Sequence, residues 1–209
     1  MTESSFFRTT SAYKLIAVSF GILGGIGSAV HGIGEIQQGN VRPDSVFISS
    51  WAEGPIALYY DGDPGITLIP NFLATGVACV IVSLFVIFWS SKFLGTRRNG
   101  AILLALSIVL LLIGGGVGPP VLLFFAGLAA LRIRTKVSYD EHRRISLKIW
   151  PYIFTITLAN GIFLVIGHIV AAYYFAPVNG DIFSGSFLLS VFLLILAVIT
   201  ANRIDGDAL

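Results

Sequence analysis

The sequence predicts an all-α integral membrane protein: a six-span helical bundle with N and C termini cytoplasmic, and three observations carry that prediction. Of its 209 residues, 56 % are apolar and only 11 % charged, where a soluble domain carries roughly 25 % charged residues; the mean hydropathy is +0.88. The apolar residues gather in runs near the ~20 residues that a bilayer-crossing helix needs. The basic residues also segregate. With six spans, Arg8, Lys14, Lys92, Arg97, Arg98, the six from Arg132 to Lys148 and Arg203 share one side, and Arg42 alone falls on the other, as the positive-inside rule requires. The chain is one polytopic domain, 1–209.

A short polar arm precedes the first span, placed at 13–36. Arg8, Lys14 and the apolar stretch 15–26, followed by Gly27-Ser28-Ala29, also have the form of a signal peptide, but the apolar character continues past Ala29. An outer cap is expected over 37–69. Its turn-like Asp61-Gly62-Asp63-Pro64-Gly65 is flanked by strand formers at 56–60 and 66–69, which predicts a small hairpin. No glutamate follows Asp61 and Asp63 at the spacing of a calcium-binding EF-hand. The outer loops carry Asp44, Glu53, Asp61, Asp63 and Asp181.

Pro70 opens the second span, 70–92. Spans three and four, 99–116 and 119–133, form a helical hairpin broken at Gly114-Gly115-Gly116-Val117-Gly118-Pro119-Pro120. A re-entrant loop is the alternative for this stretch. A phosphate-cradling loop is not, because no Lys or Ser/Thr follows the glycines. The basic connection 132–149 contains Ser138 and Glu141 at capping-box spacing. Its Arg132, Arg134, Lys136, Arg143, Arg144 and Lys148 are expected to meet anionic lipid headgroups, at ~1 kcal/mol each. Pro151 falls in the first turn of the fifth span, 150–175, and the sixth is 183–201. Tyr13, Trp51, Trp89, Trp150, Tyr152, Tyr173 and Tyr174 fall near expected interfaces, as an aromatic belt would.

Cys79 is the only cysteine, so no intrachain disulfide can form. The sequence has no Asn-x-Ser/Thr sequon, which favours the inner membrane of a bacterium or archaeon. The basic residues follow topology rather than a single face, which argues against a nucleic-acid partner.

The candidate site is on the first span. His31 and Glu35 stand one helical turn apart in a segment otherwise suited to lipid, and ionisable residues there are functional candidates by default. Gly24, Ser28 and Gly32 recur at four-residue steps, as do Gly21, Gly25 and Ala29. Such ridges admit a close neighbour: another span, a second copy or a partner subunit. His168 on the fifth span is expected at the same depth as His31, ~25 Å from the cytoplasmic edge at helical rise. Asn160, in mid-span, could line a polar path or hydrogen-bond a neighbour. The competing structural reading is that the glycines only permit packing, with His31 bonded to a carbonyl and Glu35 reaching the headgroups.

Two imidazoles and a carboxylate at one depth suit a proton or ion site, a zinc site with His31, Glu35 and His168 as ligands, or a haem held by the two histidines. No His-Glu-x-x-His, nucleophile elbow or Ser/Lys dyad suggests catalysis, and no cofactor is assigned. The leading expectation is binding or passage of a small solute or cation at an outward-facing His/Glu site. A non-catalytic accessory or sensor subunit is the alternative, and a metal- or haem-dependent membrane enzyme comes third.

Overall fold

A computed structural model describes residues 11–51, 63–133, 144–167, 170–171, 174 and 180–205. Six helices and a two-stranded sheet appear among them: α1 (Ala12–Gln37), β1 (Phe47–Ser50), β2 (Asp63–Ile66), α2 (Phe72–Lys92), α3 (Arg97–Leu112), α4 (Gly118–Ala130), α5 (Arg144–Ile162) and α6 (Gly180–Asp205). A π-helical turn, Phe163–Gly167, continues α5.

Local chemistry sets most boundaries. Ser11, Asn71 and Thr96 cap α1, α2 and α3, each accepting a backbone N–H three residues ahead, the ordinary use of a short polar side chain at a helix start. Past the end of α1, Gly39 turns the chain with φ +82°, a left-handed conformation that glycine adopts without steric cost. Prolines in the first turn of α4 have no N–H to leave unbonded there.

Among the described residues, four stretches are long and apolar enough to cross a membrane: Ala12–Gln37, Phe72–Lys92, Lys148–Gly167 and Ser184–Asp205. The most apolar window of α1 is 61 % buried inside the protein, against 28 %, 33 % and 22 % for the other three. Thus α1 is the central helix and the others present apolar faces outward. It is flanked by α2 and α4, and its glycines set the spacing. A Cβ at Gly25 would fall 2.7 Å from Ile87 on α2, and one at Gly27 would fall 2.7 Å from Pro119 on α4. The ridge residues Gly21, Gly24, Gly25, Ser28 and Gly32 are all buried, with the chain's own α2 and α4 against the glycines.

Two sequence expectations need correcting. The cap does contain an antiparallel pair, but β2 pairs with β1 in the register Phe47↔Ile66 to Ser50↔Asp63. Asp63-Pro64-Gly65 is therefore strand rather than turn; residues 56–60 lie outside the described residues. The other edge of this strand is used as well. Gly114 N–H donates to the Ile66 carbonyl at 2.8 Å and Leu68 N–H to the Leu112 carbonyl at 2.9 Å. The cap is thereby stitched to the connection between α3 and α4, a hydrogen-bonding option that no local pattern announces. Second, Pro151 lies inside α5, which begins at Arg144. The helix forgoes one N–H donor and continues through; the Ser138/Glu141 capping box lies outside the described residues. The α3 and α4 helices, at 16 and 13 residues, measure only ~24 and ~20 Å at helical rise, the short arms expected for this stretch. They pack as a hairpin whose glycine turn meets the cap.

At the opposite end of the bundle the two ends of the described chain clasp. Asp205, 2 % exposed, accepts hydrogen bonds from Ser11 Oγ at 2.6 Å, Ala12 N–H at 2.9 Å and Tyr13 N–H at 3.1 Å. A carboxylate on the free N–H groups of a helix start is favourable both as hydrogen-bond acceptor and against the helix dipole. Asp205→Ala is expected to destabilise the protein by about 2–3 kcal/mol, with Asp205→Asn intermediate, read by thermal unfolding of the purified protein.

Candidate functional site

The C-terminal turns of α1 bring His31 and Glu35 under the cap. Helical spacing puts residues four apart on one face, and that face is enclosed on every described side. His31 is 4 % exposed and Glu35 is 0 % exposed. Each strand of the sheet contributes one polar contact from above. Ser50 Oγ on β1 donates to Glu35 Oε1 at 3.4 Å, and Asp63 Oδ2 on β2 lies 2.9 Å from His31 Nε2. The Asp63 side chain retains 21 % exposure, so the His31–Asp63 contact leads from a sealed imidazole toward the surface.

The glycine turn between α3 and α4 forms the adjoining wall with its backbone. Gly114 has φ +85° and Gly116 φ +75°. A Cβ on Gly114 would stand 2.6 Å from Glu35 Cδ, and one on Gly116 would stand 2.7 Å from His31 Cδ2. Glycine is required at both positions twice over, for the conformation and for the approach. A further residue of unusual backbone borders the site: Trp51, directly after β1, has φ +61°. Its indole packs on α1 where a Cβ at Gly34 would come within 2.8 Å of Nε1. Backbone strain in a bulky residue persists only where the surroundings over-determine it, and it clusters at binding sites.

Inside this enclosure the hydrogen bonding is incomplete. His31 Nδ1, Glu35 Oε2 and Ser28 Oγ are buried side-chain atoms with no hydrogen-bond partner. Nearby, Cys79 Sγ on α2 donates to the Ser28 carbonyl at 3.1 Å. Buried polar groups are nearly always paired, and exceptions call for an explanation. A carboxyl oxygen and an imidazole nitrogen left without partners, one turn apart on the same face, are suited to holding a proton or a small cation. They contribute little as structural glue.

The other sequence candidates fall elsewhere. Asn160 Nδ2 donates to the Ser186 carbonyl and to Ser190 Oγ, each at 2.8 Å; it fastens α5 to α6 and takes no part in the His31 cluster. His168 lies outside the described residues. Three positions before it, Val165 is buried and lies 3.3 Å from where a Cβ on Gly27 would sit. Among the described residues no three His, Cys, Asp or Glu side chains gather as a metal ion would need. Of the expected headgroup residues, Arg132 and Lys148 are exposed and Arg144 opens α5, whereas Arg134, Lys136 and Arg143 lie outside the described residues.

Compared with protein-family models, curated proteins and solved structures, the chain has no match.

Sequence reasoning missed Asp63, Ser50, Gly114 and Gly116 as members of this site. One signal was present: a buried ionisable residue demands a partner, and a cap rich in aspartates faces the end of the helix that bears His31.

Proposed function

We propose that this chain is a six-span protein of a bacterial or archaeal inner membrane that binds or passes a small cation at the His31–Glu35 site, entered from the capped, outward side. The observation that carries this reading is Glu35: a fully buried carboxyl, one oxygen without a partner, in an apolar helix at the centre of the bundle. Retaining such a group costs stability, and a cation is the ligand that would complete it. The neighbouring groups agree, because Asp63, Ser50 Oγ and the Ser28 carbonyl bring oxygens to the region and no lysine or arginine intrudes among the described residues. The basic residues of the opposite side, Arg132 and Lys148 among them, rest on anionic lipid in this reading.

Reconstitution into vesicles loaded with pH- and alkali-cation-sensitive dyes tests it. Glu35→Gln is expected to reduce cation flux about 100-fold, as loss of a positioned proton-transfer group does. Flux equal to that of the unaltered protein would refute the proposal. A non-catalytic subunit is the second reading, favoured by Phe47 and Leu68 on the cap, 76 % and 64 % exposed; vesicles without flux, together with a cap-dependent partner, would establish it instead.

A further inference from the structure

We propose that His31 is a proton relay between Asp63, at the surface, and the sealed Glu35, so that the cation handled at this site is the proton; this rests on the cation-site reading above and makes it specific. Three observations converge. Asp63 Oδ2 engages His31 through Nε2 at 2.9 Å and keeps 21 % exposure, whereas the imidazole itself is 4 % exposed and Glu35 is 0 % exposed. Asp63 is thus the one carboxylate of the three-residue chain that water touches. The second imidazole nitrogen, Nδ1, has no partner, and neither has Glu35 Oε2 one turn along the same helix. An imidazole gripped at one nitrogen and open at the other has the bonding pattern of a group that accepts on one side and gives on the other. The wall is glycine backbone at Gly114 and Gly116, packed against both side chains, which leaves no lateral width for a hydrated ion beside them.

The transfer balances without any further reactant. His31 starts neutral, with its proton on Nδ1 and Nε2 accepting. A proton delivered by the Asp63 carboxyl breaks the Oδ2–H bond and forms Nε2–H, giving imidazolium. The Glu35 carboxylate, whose Oε2 has no partner in the resting arrangement, then rotates to meet Nδ1, and Nδ1–H breaks as Oε2–H forms. Asp63 ends as carboxylate, His31 as the neutral Nε2–H tautomer donating to it, and Glu35 as the carboxylic acid. The reverse sequence returns the proton. The groups facing His31 support this assignment. β2 supplies Asp63, α1 supplies Glu35, the α3–α4 connection supplies only backbone, and the π-helical turn supplies the apolar Val165 beside Gly27. On α2, Cys79 gives its S–H to the Ser28 carbonyl. Among the described residues no other charged group competes for the imidazole.

Infrared spectroscopy of the full-length protein in lipid nanodiscs, switched from H2O to D2O, tests this. The carbonyl stretch of the protonated Glu35 acid is identified by its loss in Glu35→Gln, and its deuterium shift is followed in time. Asp63→Asn keeps a hydrogen-bond acceptor for His31 but cannot carry a proton, and it is expected to slow exchange at Glu35 about 100-fold. His31→Phe should do the same, and Asp63→Glu should restore the rate. Exchange at the unaltered rate in both Asp63→Asn and His31→Phe overturns the relay. So does the absence of any Glu35-dependent band across the pH range in which the protein stays folded. The two readings fail separately. Slowed exchange with no vesicle flux leaves the relay standing and removes passage. Glu35-dependent flux with exchange indifferent to Asp63 and His31 leaves passage standing and removes the relay.

Discussion

Gly114→Ala is expected to destabilise the protein by about 2–5 kcal/mol, the sum of two costs. The first is conformational: φ is +85° at this position, and a left-handed backbone costs a residue with a Cβ about 1–2 kcal/mol. The second is steric. The added methyl would enter the space of the Glu35 carboxyl, 2.6 Å from Cδ, and forcing an extra group into a packed interior costs about 1–3 kcal/mol. The glycine turn cannot simply withdraw, because Gly114 N–H is bonded to the Ile66 carbonyl at 2.8 Å; retreat would also unfasten the cap. Chemical or thermal unfolding of the purified protein measures the loss. Because the two residues touch, their effects should not add: in Gly114→Ala combined with Glu35→Ala the steric part is recovered and the conformational part, about 1–2 kcal/mol, remains. A single variant as stable as the unaltered protein would show that the glycine turn does not press on Glu35.

Glu35→Met should do the opposite to stability while abolishing function. A fully buried side chain is ordinarily part of what holds a fold together, and truncating one such as Leu123, 0 % exposed, to alanine is worth about 2–5 kcal/mol. Glu35 is equally buried, yet its one hydrogen bond, from Ser50, is long at 3.4 Å, and Oε2 has no partner. An unbranched apolar side chain of similar length removes the cost of burying that oxygen, about 1–3 kcal/mol, and leaves Ser50 Oγ without its acceptor, which offsets part of the gain. Equal stability, or a gain of up to about 2 kcal/mol, is therefore expected alongside loss of the Glu35-dependent flux. A loss of stability on the scale of a core truncation would mean that Glu35 serves the fold.

The helices were legible because their causes are local. Spans expected at 13–36, 70–92 and 183–201 correspond to α1 (Ala12–Gln37), α2 (Phe72–Lys92) and α6 (Gly180–Asp205), since apolar run length and capping residues act within a few positions of each boundary. His31 and Glu35 were legible for a related reason: an ionisable pair one turn apart stands out against an apolar background. Asn160 stood out equally, and its role is to join α5 to α6 through Ser186 and Ser190. Polarity in an apolar run marks a demand for a partner and does not say which partner meets it.

What the sequence alone determined is where the long apolar helices run, because apolar run length and capping residues act within a few positions of each boundary and without reference to the fold. Only the tertiary structure decided what closes over His31 and Glu35. Asp63 reaches His31 through strand pairing with Phe47–Ser50, and Gly114 and Gly116 reach the site through hydrogen bonds between the α3–α4 connection and the far edge of β2. Those pairings join segments distant along the chain, and their energy lies in backbone groups that every residue carries alike. No residue pattern along the sequence could have announced them.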